Sequence, residues 1–220
     1  MSSAREAILG TIRSQLARDP NLSAVQLQEL PDAAYASIPR NYTRQGTLPD
    51  HERLDLFLDR LRDYDAELLF ADEAGIHNAV SQALQEAGET LLLVPAGVPD
   101  AWLPQQGVEI LRDHSLDLVA LNSPRVVLTG CTVAIAMSGT VLLQHGAEQG
   151  RRATTLLPDH HICVIRRDQV EETIAEALPR LTGYHTAPIT TIAGPSATSD
   201  IEMTRIRGVH GPRRMTAIIV

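Results

Sequence analysis

From His51 onward two hydrophobic periods alternate along the chain, and this alternation leaves few architectures open to it. Leu54, Phe57, Leu58 and Leu61 recur at helical spacing, because residues three and four apart share a helix face. Residues 67–71 then read as a strand, 73–87 as a helix ended by Gly88, and 90–94 as a buried strand. Short strands at 108–111, 125–128, 140–144 and 161–165, a helix at 169–178, and closing strands at 190–193 and 215–220 extend the series. Strands separated by helices bury both faces of a parallel sheet, so the expected fold class is α/β, a mostly parallel sheet flanked by helices.

The first fifty residues break the rhythm. Ser3 and Glu6 have capping-box spacing and Ile8, Ile12 and Leu16 lie on one face, predicting an amphipathic helix over 3–18. Residues 19–50 carry Pro20, Pro31, Pro39 and Pro49 without a sustained period. They read as an extended linker with a helical turn at 23–30. The division expected is an N-terminal helix and linker over 1–50 and an α/β domain over 51–220. So long a connection is uncommon inside a compact domain. It leaves room for a homo-oligomer in which the helix packs on another subunit.

Charge and rare residues narrow the function. A formal net charge of −8 argues against nucleic acid or an anionic membrane surface as partner. No stretch approaches the roughly 20 apolar residues needed to span a bilayer. The opening Met1-Ser2-Ser3-Ala4-Arg5-Glu6 lacks a signal-peptide pattern, so cytoplasmic residence is expected. The 2 cysteines, Cys131 and Cys163, have no paired spacing, which offers no ligand set for an iron–sulfur cluster. They read as small core residues. All 19 basic residues are arginine. Without a lysine amine the chain cannot form a Schiff base, anchor pyridoxal phosphate or use a Walker-type lysine. No metal and no cofactor are expected. Asp159-His160-His161 invites a metal reading, but adjacent strand residues face opposite ways, and of the two His160 is the better site candidate.

The densest turn chemistry lies near the C-terminus. Ala193-Gly194-Pro195-Ser196-Ala197-Thr198-Ser199-Asp200-Ile201-Glu202 is followed by Gly208-Val209-His210-Gly211-Pro212-Arg213-Arg214 and an apolar run. Gly194-Pro195 ends a strand. Ser196, Thr198 or Ser199 then caps a short helix whose free N–H groups suit an anion. Arginine's planar fork suits carboxylate or phosphate.

These segments, together with Ala134-Ile135-Ala136-Met137-Ser138-Gly139-Thr140, Gly150-Arg151-Arg152, Leu156-Leu157-Pro158 and His160-His161-Ile162, resemble the lactate-utilization (LUD) domain family, lactate utilization protein C type. The resemblance covers roughly residues 50–220. It implies a fold similar to the phosphosugar isomerase and CoA-transferase-like group, and a part in L-lactate oxidation to pyruvate beside iron–sulfur partner proteins. Met137 stands where that family usually has an acid.

Ligands of open α/β sheets settle at strand ends where loops diverge, and three loops are candidates. Ser138, Gly139 and Thr140 offer close backbone N–H groups. Between Gly146 and Gly150, Glu148 is a candidate catalytic carboxylate, loosely like the glutamate nucleophile of CoA transferases. Arg151 follows as the preferred pocket arginine, ahead of Arg152. The terminal pair supplies Gly194, Ser196, Thr198, His210 and Arg213 as ligand contacts, and Asp200 as a general base. The function expected is a non-redox binding or assembly component with a small-anion pocket; the alternative is a free-standing transferase or isomerase acting on a phosphorylated or CoA-linked acid.

Overall fold

The structure is a computed structural model of the 220-residue chain, and it describes residues 4–16, 36–39, 41–181, 188–198, 206–208 and 211–220. Two compact units divide at Tyr42, Met1–Tyr42 and Thr43–Val220. In the first, helix α1 spans Ala4–Leu16. Ser3 and the turn expected at 23–30 lie outside the described residues.

The second unit begins with an extended stretch tied down by two carboxylates: Gly46 N–H donates to Glu176 Oε1 (2.9 Å) and Leu48 N–H to Glu172 Oε2 (2.7 Å). Next come α2 (Asp50–Asp63), β1 (Glu67–Phe70), α3 (Ile76–Ala87), β2 (Leu91–Pro95), β3 (Glu109–Asp113), the short α4 (Leu118–Leu121) and β4 (Val126–Gly130). The chain continues through β5 (Val133–Ile135), β6 (Thr140–Leu143), β7 (His160–Ile165), β8 (Val170–Glu171), α5 (Ile174–Ala177), β9 (Thr190–Ile192), β10 (Ala197–Thr198), β11 (Ile206–Arg207) and β12 (Arg214–Ile219). A six-stranded sheet runs in the order β1-β12-β7-β4-β2-β3 with every neighbouring pair parallel. The expected α/β fold is what forms.

Each face of this sheet is closed by apolar contact. Ile76, Val80 and Leu84 of α3 pack on Leu92, Val126, Leu128, Ile162 and Ile218. On the other face Phe57 and Leu61 of α2 meet Cys163, Met215 and Ala217. Both α2 residues are fully buried, each contributing about 1.5–3 kcal/mol of hydrophobic transfer. The α2 face also carries a second sheet, ordered β8-β5-β6-β9. Its β6 lies antiparallel to both β5 and β9, placing Val141 opposite Ile192.

Two local expectations are corrected. The stretch between the strands expected at 125–128 and 140–144 contains β5, because Val133, Ala134 and Ile135 find a partner in β6. The helix expected over 169–178 is broken, since Val170 and Glu171 pair with Ala134 and Ile135. Thr173 and Glu176 then form a capping box that starts a new helix at Ile174. Further on, Ala197 and Thr198 pair antiparallel with Arg207 and Ile206, and the body of the short helix expected there lies outside the described residues. Among the described residues no helix is long and apolar enough to cross a membrane.

Candidate functional site

Strand β7 begins with two histidines, and strand alternation sends them to opposite faces. His160 Nε2 lies 2.8 Å from Thr216 Oγ1, whose hydroxyl donates to Glu67 Oε2 (2.9 Å), while Arg214 Nη2 donates to Glu67 Oε1 (2.8 Å). Burial works to raise the Glu67 carboxyl, but the bonds from Arg214 and Thr216 outweigh it and hold it below its usual value. Burial, with Arg214 nearby, lowers His160 to about 4. His161 Nε2 sits 2.8 Å from Thr129 Oγ1. Burial, then the charges of His160 and Arg152, lower it to about 3. Both rings are neutral near pH 7, and the buried Nδ1 of each has no partner among the described residues.

His161 forms part of the wall of a cavity of about 240 Å³. The wall also takes Arg152 and Thr155 from the 3₁₀ turn Arg152–Thr155, strand β9 and the turn after it, Gly211-Pro212, Arg214 and Met215. His161 is the second residue of β7, and Arg214 and Met215 the first two of β12. The cavity therefore lies toward the amino ends of these strands, not at the carboxyl ends where ligands of such sheets were expected. Gly194 shapes its rim. The residue has φ 71°, and a Cβ there would stand 2.3 Å from Tyr64 Cβ, so only glycine lets the turn approach the end of α2.

Electrostatics give the cavity a sign. Arg152 lines it, donates Nη1 to Thr155 Oγ1 (3.3 Å), and pairs with no carboxylate among the described residues. Arg214 is neutralised by Glu67, and His161 is uncharged. Among the described residues, one uncompensated guanidinium flanked by hydroxyls and neutral imidazole suits a small anion. Thr129 can either accept from or donate to His161 Nε2.

A second cavity of about 560 Å³ lies at the carboxyl ends of β2 and β3, lined by Asp113, Ser115, His145, Arg151 and, again, Arg152. Arg151 clamps Asp113 with Nε to Oδ2 (2.8 Å) and Nη2 to Oδ1 (3.0 Å), and also donates to Leu116 O. Thr154 Oγ1 adds a bond to Oδ2 (2.9 Å). Burial favours a higher value for the Asp113 carboxyl, but these bonds and the Leu116 N–H prevail and lower it.

The other expected site residues lie as follows. Gly194 and Ser196 are in the wall of the first cavity. Ser196 uses its backbone in the ladder, N–H to Pro212 O and O from Gly208 N–H, both 2.8 Å. Ser138, Gly139 and Thr140 sit near Gly194, joined through the β6–β9 pair and held against the end of α2, where a Cβ on Gly139 would lie 2.7 Å from Arg60 Cβ. They do not line the cavity, and the Ser138 and Thr140 hydroxyls bond each other at 2.8 Å. Glu148 is half-buried at the carboxyl end of β4, its Oε2 2.7 Å from where a Cβ on Gly130 would be, with Arg166 and Cys131 within electrostatic reach. Arg213 is exposed, 3.9 Å from Asp159 Oδ1, and it is Arg214 that enters the wall. Thr198 belongs to β10; Asp200 and His210 lie outside the described residues.

Arg152, His161, Thr190 and Arg214 are the wall residues that local reading passed over or ranked second. Arg214 is the first residue of β12, and Arg213 precedes the strand. Cys131 and Cys163, distant in sequence, are both buried in one core cluster. A hydrogen bond with Cys163, and burial, hold the Cys131 thiol well above its ordinary value, so it stays protonated. No group of three or more His, Cys, Asp or Glu among the described residues is placed to hold a metal.

Comparison with known proteins finds the LUD domain family model matching residues 113–220. A protein of Deinococcus radiodurans named lactate utilization protein C is 44% identical over 182 residues, which is 81% of this chain and 84% of that protein. One of the same name from Bacillus licheniformis is 24% identical over 237 residues, covering 98% of this chain and 95% of the relative. Among solved structures, a DUF162 family protein from Deinococcus radiodurans superposes with a TM-score of 0.68 at 38% identity, spanning 79% of this chain and 99% of that one.

Proposed function

Because the chain belongs to the LUD domain family, we propose that it is a component of an L-lactate utilization system, serving oxidation of L-lactate to pyruvate beside iron–sulfur partner proteins in the cytoplasm. In this reading residues 51–220 are the LUD-like domain and 1–50 an N-terminal appendage. Two relatives that match most of the chain carry the name lactate utilization protein C, which supports the setting. The cavity supports a binding role. Its wall holds an arginine without a carboxylate partner among the described residues, and its volume of about 240 Å³ admits a small carboxylate.

Arg152 carries the proposal, and Arg152→Ala tests it. L-lactate, pyruvate, phosphate and sulfate should each be titrated against the wild-type melting temperature. A ligand specific to the native state stabilises it by RT ln(1 + [L]/Kd), roughly 1.4 kcal/mol for each tenfold excess. At least one carboxylate should raise the melting temperature. Arg152→Ala should weaken that binding by about 1.5–3 kcal/mol, the worth of a charge-assisted bond. Arg213→Ala should leave it unchanged. Growth on L-lactate, restored to a deletion strain by the wild-type gene and not by Arg152→Ala, supplies the cellular arm. Flat melting curves with every anion would remove the cavity from the proposal.

A further inference from the structure

Between the two cavities stands a hydroxyl whose proton is already directed to a base. His145 Nδ1 lies 2.8 Å from Gly150 O, and its Nε2 lies 2.8 Å from Thr190 Oγ1. A carbonyl oxygen only accepts, so Nδ1 carries a proton, and in the neutral ring Nε2 presents its lone pair. In that form Thr190 donates to Nε2. The arrangement is that of an activated nucleophile: hydroxyl, imidazole base, and a third group orienting the base. Thr190 lines the Arg152 cavity and His145 lines the second one.

The base is held with unusual firmness. His145 has φ 57°, the left-handed region that a non-glycine residue enters at a cost, and such strain gathers at functional sites. The loop that imposes it is pinned by the buried Gln149, whose Oε1 accepts from Thr132 Oγ1 (3.1 Å), Gln144 N–H (3.0 Å) and Gly146 N–H (3.2 Å). Arg152 belongs to both walls, so a carboxylate-bearing substrate is held where the hydroxyl can reach it.

We propose that Thr190 is a nucleophile and His145 its general base, acting on a small activated ester or thioester whose acyl group carries a carboxylate. Thr190 Oγ1 bonds to the acyl carbon as its proton passes to His145 Nε2. The carbon–oxygen or carbon–sulfur bond to the leaving group then breaks, and that proton goes to the departing alcohol or thiol. Water, deprotonated by the same nitrogen, releases the carboxylic acid and restores the threonine. The choice of an anionic acyl group rests on the Arg152 reading above; the nucleophile does not.

The test uses p-nitrophenyl acetate, which is neutral, and mono-p-nitrophenyl succinate, which is anionic. Wild-type protein should release a burst of nitrophenolate and carry the acyl group on the Thr190 peptide in mass spectrometry. Thr190→Ser, which keeps a hydroxyl, should retain the burst, and Thr190→Val should lose both burst and adduct. His145→Asn, whose side chain tolerates the left-handed backbone, should acylate about 100-fold more slowly or worse. Arg152→Ala should reduce the preference for the succinyl ester by about tenfold or more. An unaltered preference would overturn the anionic substrate class and leave the nucleophile standing. No Thr190 adduct in the wild type, or equal acylation in folded Thr190→Val, would overturn the nucleophile.

Discussion

Arg151 directs its fork at Asp113, whereas Arg152, one residue on, meets no carboxylate among the described residues. The pair with Asp113 locks the carboxyl ends of the sheet and leaves the neighbouring cation to the cavity. Asp113→Asn should lower stability by about 1–3 kcal/mol, because the Leu116 N–H and Thr154 hydroxyl keep weaker acceptors; urea denaturation at neutral pH measures it. The β7 histidines make a separate, pH-dependent contribution. Their folded values of about 4 and about 3 stand below the ordinary 6.5. As pH falls through 6.5 the unfolded chain binds protons that the folded chain refuses. Their stability is therefore whole above 6.5 and lost from there down to about 4 for His160 and about 3 for His161, by up to about 1.4 kcal/mol per histidine per pH unit. The lowered carboxylates, Glu67 and Asp113, act on the same side of the curve but further down, below the ordinary carboxylate range. Urea midpoints compared at about pH 7 and about pH 5 should fall less steeply in the double variant His160→Gln, His161→Gln; equal slopes would assign the loss to other groups.

Strand β9 and the turn after it connect the small sheet to the cavity. Leu142 and Leu143 oppose Thr191 and Thr190, which puts Thr190 beside His145, and Gly194 then passes close to Tyr64. Gly194→Ala should destabilise by about 1–3 kcal/mol through its positive φ alone, with the Tyr64 clash in addition. Because the turn lines the cavity, anion-induced stabilisation should shrink in the same variant; a melting shift equal to the wild type's would separate the turn from binding. Helix α5 shows how a period misleads. Ala134 and Ile135 claim Val170 and Glu171 for a strand, although residues 169–178 on their own have helical spacing. The restart at Thr173 was visible as a Thr-x-x-Glu capping box, but nothing local said that the residues before it would pair with a strand far earlier in the chain.

Both cavities are built from the unit Thr43–Val220. A fragment beginning at Thr43 should thus keep the anion response of the full chain, as read by the same thermal titration, and a silent, folded fragment would place a needed group in the first 42 residues. The parallel sheet itself was legible because its cause is local. Runs such as 161–165 and 215–220 are apolar on both sides, turn residues bound them, and helices of period 3.6 lie between, so each strand announces burial wherever it packs. The absence of lysine and of paired cysteines likewise limits chemistry through composition alone. The site was not legible in that way. Arg151 finds Asp113 across 38 positions, His145 finds Thr190 across 45, and His160 finds Thr216 across 56. Which of two adjacent arginines or histidines is satisfied, and which is left facing a cavity, depends on these distant partners. A hydrogen bond needs contact within about 3 Å, and only chain folding brings residues so remote in sequence to that distance.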